Sequence, residues 1–162
     1  MADAGDLYRL LIIEHSKRPR STTLPEPASH SGEGNNPLCG DRLTVAVRVS
    51  VPDRDVPAAD VPWGVIEDIG CRAQGCAISV AAGSTMSEAV RGKSMDDIQA
   101  LYRRYLDVLH GRASGGEGER PGELGDLGDL AAFAGIAAFP LRSQCATLAW
   151  KTLLDMLGLD SR

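Results

Sequence analysis

Asn36-Pro37-Leu38-Cys39-Gly40-Asp41-Arg42-Leu43-Thr44-Val45-Ala46-Val47-Arg48-Val49-Ser50-Val51 joins a turn to a strand. From Leu43 onward the residues alternate. Val45, Val47, Val49 and Val51 fall on one face, with Thr44, Arg48 and Ser50 opposite. Successive side chains of a strand point to opposite sides, so this pattern predicts a strand with one buried face. Just before it, Asn, Pro and Gly build a tight turn that carries Cys39 and Asp41 two residues apart. A soft thiolate and a hard carboxylate thus stand together where the turn meets the strand.

Two more cysteines sit where helices should begin. Gly75-Cys76 precedes an alanine-rich run to about Val90, with Ile78, Ala81, Ala82, Thr85, Met86 and Ala89 on one face. Arg142 to about Leu157 places Cys145, Leu148, Ala149, Thr152, Leu153 and Met156 on one stripe. At a helix start the free backbone N–H groups and the dipole favour a thiolate over a thiol. Cys39, Asp41, Cys76 and Cys145 therefore supply four candidate ligands, the number a tetrahedral metal takes. Thiolates suit zinc, or iron in a cluster. The carboxylate is harder than the usual structural zinc ligands and points to a site where one ligand exchanges. Cys39, on a loop, is the candidate reactive thiol. The fourth cysteine, Cys71, belongs to a less regular strand from Trp63 and is expected in the core.

The remaining chain reads as scaffold. Asp6 to about His15 predicts a helix docking a broad apolar face that includes Leu10 and Ile13, and it should stop near Pro19. His15 at its end is expected to be structural or partner-facing rather than a metal ligand. Ser21–Asn35, rich in Ser, Thr, Pro and Gly, reads as a mobile loop with a solvated His30. Pro52–Pro62 reads as a linker. Ser94 caps a helix to about His110, with Asp96 and Asp97 in its first turn and Tyr102 and Tyr105 on its core stripe. Gly111–Gly125 reads as a flexible segment and carries no phosphate-binding motif. A short helix is predicted over Leu127–Phe133.

The whole chain of 162 residues is expected to be one domain, 1–162, with loops at 21–35 and 111–125. Its formal net charge of −5, with both signs mixed, opposes the basic field that a nucleic-acid surface needs. No apolar run approaches the roughly 20 residues that span a bilayer. Asp3 and Asp6 stand where a signal peptide would be basic, so a cytoplasmic location is expected, with no nucleic-acid or membrane partner. Four cysteines in such a compartment point to metal binding or catalysis before disulfides.

Three stretches, NPLCGDRLTVAV (36–47), GCAISVAAGSTMSEAVRGKS (75–94) and FPLRSQCATLAWK (139–151), closely resemble the IscU/NifU-N family of iron–sulfur cluster assembly proteins. Glu14-His15 with Pro19-Arg20 is similar to that family's opening. Although the SufU branch of the SUF system commonly has Lys where Gln144 stands, the lack there of the His that the ISC-type scaffold carries resembles that branch. So does the insertion Gly111–Leu130. The resemblance implies an α+β, IscU/SufU-like fold: a small antiparallel sheet with helices mainly on one face. It implies metal ligation by Cys39, Asp41, Cys76 and Cys145. It also implies that Cys39 accepts persulfide sulfur from a SufS-type, PLP-dependent cysteine desulfurase, freed from zinc when a partner histidine replaces it. Downstream SUF scaffold proteins would follow. Arg142 matches a basic position of the branch motif and is expected to pair with Asp41 or guide docking. Two alternatives stand beside this zinc-dependent sulfurtransferase: a scaffold on which an iron–sulfur cluster is built and released, and a structural zinc module without chemistry.

Overall fold

The computed structural model describes residues 4–50, 64–110 and 127–159. The readings of Pro52–Pro62 and Gly111–Gly125 lie outside the described residues. The fold is α+β, with three antiparallel strands and helices on one face of the sheet. Strands β1 (His30–Asn36), β2 (Asp41–Ser50) and β3 (Val65–Gln74) pair in the order β1-β2-β3.

The alternation read in β2 holds and reaches further back. Leu43, Val45, Val47 and Val49 are buried, and Asp41 shares their parity and is fully buried. Asp41 is thus the first residue of β2, so its carboxylate faces the layer that the helices cover. In β3 the buried Ile66 and Ile69 are three apart, which breaks strict alternation. A register shift between Arg48 and Val49 places Arg48 opposite Asp68 and Val49 opposite Ile66, leaving Glu67 as an extra residue. Such a bulge returns Ile66 to the core face. Cys71 pairs with Val45 and is buried, as expected.

The expectation of a loop over 21–35 is corrected for residues 30–35, while residues 21–29 form no helix or strand. His30 to Asn36 is strand β1, with Asn36 opposite Asp41 and His30 opposite Val47. His30 is half-buried rather than solvated, and its Nδ1 lies 3.0 Å from Ser29 Oγ. The segment before the strand is also anchored. Cys71 N–H donates to Ser21 O at 2.8 Å, and Ser29 N–H donates to Val47 O at 2.8 Å. The strand is poor in β-formers because a helix lies against it. A Cβ on Gly34 would run into Thr152 Oγ1, and one on Gly32 would come within 3.2 Å of Met156 Cβ.

Helix α2 (Ala77–Val90) is the centre of the helical layer. Its residues 78, 79, 81–87 and 90 are buried, so it is covered nearly all round. Small residues allow that, and two of its hydroxyls bond within the helix: Thr85 donates to Ala81 O at 2.9 Å and Ser87 to Gly83 O at 2.8 Å. Helix α3 (Met95–Leu109) starts at Ser94, whose Oγ accepts from Asp97 N–H at 3.2 Å. Helix α4 (Ser143–Met156) packs along β1. Trp150, absent from the stripe read in the sequence, is its largest buried side chain and stacks with Tyr102 and Tyr105 at 5.7 and 5.3 Å.

Two further expectations change. Helix α1 (Ala4–Lys17) leaves Leu10 and Ile13 exposed, and its most buried described side chain is His15. The short helix expected over Leu127–Phe133 is a 3-10 helix over Gly128–Ala138. Leu130, Phe133 and Ile136 are buried at three-residue spacing, which matches three residues per turn. Among the described residues no helix is long and apolar enough to cross a membrane.

Candidate metal centre

The β1–β2 turn, the start of α2 and the start of α4 meet at one end of the sheet. Asn36 to Asp41 closes the hairpin, and Gly40 takes a φ of +70° there. The turn leaves Cys39 exposed while Asp41 points inward. Candidate ligand atoms of Cys39, Asp41 and Cys145 all lie within 4.8 Å of one another. The Cys145 S–H donates to Cys39 Sγ at 3.2 Å. Cys76 stands next to this trio, with its Sγ 4.0 Å from Asp41 Oδ2.

Each inner group is held by a specific contact. Asp41 Oδ1 accepts the backbone N–H of Cys76 at 2.9 Å, tying the strand to the helix start. Gly75 makes that approach possible. Its φ is +141°, and a Cβ there would collide with the Asp41 carboxylate. Cys76 is the N-cap of α2, and its Sγ accepts from Ser79 N–H at 3.4 Å. That is the helix-start environment read from the sequence. Cys145 differs. It is buried, and burial first, then hydrogen bonds with Asp41, Cys39 and Cys76, pushes its thiol well above the ordinary range. The helix-start argument for a thiolate at Cys145 is therefore corrected for the metal-free chain. Desolvation of an anion outweighs a dipole contribution of about 0.3–1 kcal/mol.

Asn36 was read from the sequence only as a turn residue; its link to Cys145 was not. Its Oδ1 accepts Leu38 N–H at 3.2 Å, and its Nδ2 donates to Cys145 Sγ at 3.6 Å. One side chain thus folds the turn and anchors it to α4. The turn had its signal: an Asn directly before Pro commonly closes a turn through its own side chain.

Arg142 does not join the trio. Its guanidinium lies over the Phe139 ring at 5.5 Å, and the ion pairs of the described residues do not include one with Asp41. Asp41 is fully buried with Oδ1 already engaged, whereas Arg142 is exposed. Leu38, Phe139 and Leu141 are likewise exposed beside the site.

The donor set fits zinc. Sulfur ligands at about 2.3 Å from a tetrahedral centre lie about 3.8 Å apart, so the Cys39 and Cys145 sulfurs, at 3.2 Å, need open only slightly to share one ion. A second group, His15, Glu88 and Asp129, also gathers within 4.8 Å. There His15 Nδ1 meets Ser84 Oγ at 2.8 Å and Nε2 meets Asp129 Oδ2 at 2.9 Å, while Arg20 pairs with Glu88 at 3.2 Å. These contacts bind α1 to α2 and to the 3-10 helix, the structural role expected of His15.

Residues 7–146 match the family model described as the NifU-like N terminal domain. The chain belongs to this family of iron–sulfur cluster assembly proteins. It is 32% identical over 152 residues to the zinc-dependent sulfurtransferase SufU of Bacillus subtilis, covering 94% of this chain and 90% of that one. It is 33% identical over 157 residues to the iron–sulfur cluster assembly scaffold protein IscU of Streptococcus pyogenes serotype M1, covering 97% and 86%. Among solved structures, a crystal structure of a protein assigned to the SUF system of Fervidobacterium islandicum AW-1 as an iron–sulfur cluster assembly scaffold superposes with a TM-score of 0.70. Its identity is 25%, and the match covers 96% of this chain and 99% of that one.

Proposed function

We propose that this chain is a sulfur acceptor of the SufU kind, working in iron–sulfur cluster assembly with a SufS-type, PLP-dependent cysteine desulfurase. One observation carries the reading: of the clustered donors, only Cys39 is exposed, while Asp41 and Cys145 are buried and Cys76 is half-buried. A cluster meant only to staple a fold has no need to leave one thiol on a turn at the surface.

Cys39, Asp41, Cys76 and Cys145 would hold a zinc ion. Bound zinc supplies a positive charge that keeps thiols deprotonated near neutral pH. The chain's own groups do the rest. Gly75 and Asn36 set the positions of Asp41 and Cys145, so the cluster is pre-built on two helices and a strand. Cys39, on its turn, can approach a partner without disturbing them. Its thiolate attacks the outer sulfur of a cysteine persulfide on the desulfurase. The S–S bond breaks, the desulfurase thiolate leaves, and Cys39 carries the persulfide. Exposed Leu38, next to Cys39 in the chain, and exposed Leu141 and Arg142, just ahead of Cys145, would offer the docking face.

The scaffold reading is supported by the IscU relative of equal similarity. In that reading the same four groups hold a nascent cluster as cargo. Elemental analysis of protein purified without added metal separates the two. Zinc near one per chain, without iron or acid-labile sulfide, is expected for the acceptor. Iron with matching sulfide overturns it in favour of the scaffold.

A further inference from the structure

We infer that Cys39 and Cys145 form a redox-modification site, closing to an intramolecular disulfide when the protein meets a hydroperoxide. The two sulfurs already touch at 3.2 Å, and the bond requires closure to about 2.0 Å. The pair combines one accessible thiol with one shielded thiol. Cys39 is exposed and Cys145 is buried, so an oxidant reaches Cys39 first and meets Cys145 as the nearest resolving thiol. The turn side of the pair is free to adjust: Gly40 next to Cys39 has φ +70° and nothing within 4 Å of its missing Cβ. The helix side is fixed, with Asn36 Nδ2 holding Cys145 Sγ from across the hairpin.

The chemistry balances in two steps. The Cys39 thiol reduces one hydroperoxide, giving a sulfenic acid and, from hydrogen peroxide, one water. The Cys145 thiol then displaces that hydroxyl as a second water, and the S–S bond forms. Two thiols have lost two electrons and two protons, and the peroxide has taken them up. An external dithiol reverses the bond by thiol–disulfide exchange.

The other cysteines are arranged differently. Cys71 is buried between β3 and α2, its Sγ 2.7 Å from where a Gly83 Cβ would stand. Cys76 has its Sγ engaged with Ser79 N–H and beside Asp41. Closure at Cys39–Cys145 would remove two of the four proposed metal ligands together with the acceptor thiol. That consequence rests on the function proposed above. The bond itself is detected without any desulfurase, so the two readings fail separately.

The test is non-reducing peptide mapping of the purified, metal-containing protein after mild hydrogen peroxide, with metal release followed by a colorimetric chelator. The expected result is one linked peptide pair joining Cys39 to Cys145. The intact chain should lose the mass of two hydrogens and release its metal in step, and a dithiol should restore the thiols. In the Cys145→Ser variant, whose folding is checked by circular dichroism, Cys39 should instead proceed to sulfinic acid. Direct conversion of Cys39 to sulfinic or sulfonic acid in the unaltered protein, or a link from Cys76 to Cys145, overturns the inference.

Discussion

Cys39 and Asp41 were legible because their turn announces itself through Asn36, Pro37 and Gly40, and because residue types carry the ligand chemistry directly. What residue types do not carry is burial. Asp41 sits in a turn by composition, yet strand parity places it in the core, where its Oδ1 accepts Cys76 N–H at 2.9 Å. Replacing it with Ala leaves that N–H unpaired at the site, and we expect a loss of about 1–3 kcal/mol of stability by urea unfolding of the metal-free protein. Zinc content should fall in the same variant. Cys39→Ala, at an exposed position, should leave the unfolding midpoint nearly unchanged while ending sulfur acceptance. Cys71 yields a pH prediction. Burial pushes its thiol from 9.0 up to about 12. Above pH 9 the unfolded chain therefore releases a proton that the native state retains. Stability should decline as pH rises from about 9 to 12, by about 1.4 kcal/mol per unit for this thiol. Urea titrations of the metal-free protein across that range should show the decline, and Cys71→Ala should make it shallower, leaving the part that the raised Cys145 thiol contributes.

Elements with strong periodicity were read well, and those shaped by a neighbour were not. The stripe of α3 and the alternation of β2 survive in the structure, whereas α2 is buried on nearly every side rather than on the one face read for it. Strand β1, His-Ser-Gly-Glu-Gly-Asn-Asn, carries turn-forming residues because α4 presses on it at Gly32 and Gly34. Gly34→Ala would drive a methyl group into Thr152 and against Leu148, and overpacking of this kind costs about 1–3 kcal/mol. Thermal unfolding should register it as a lowered midpoint. The 3-10 helix was misread because a period of three over a short apolar run mimics a helix turn. His15 joins three elements through Ser84 and Asp129. Its replacement by Ala removes both bonds and leaves a buried gap, so we expect at least 1–3 kcal/mol lost by urea unfolding.

At the scale of the molecule, one arrangement follows from the parts. A three-stranded sheet buries one face under α2 and α4. The starts of both helices then fall at the same end as the β1–β2 turn, and three distant cysteines converge there. No local pattern contains that convergence; in the sequence the ligand set was inferred from residue type and from turn and helix-start contexts, and the family resemblance implied the same four residues. The central claim is that the exposed member of this cluster accepts sulfur. It is tested most directly by incubating the zinc-loaded protein with a SufS-type desulfurase and cysteine, then mapping persulfides by mass spectrometry after alkylation. The account predicts one added sulfur on Cys39, with Cys76 and Cys145 unmodified. Equal labelling of all three cysteines, or none on Cys39 while the desulfurase itself carries persulfide, would contradict it.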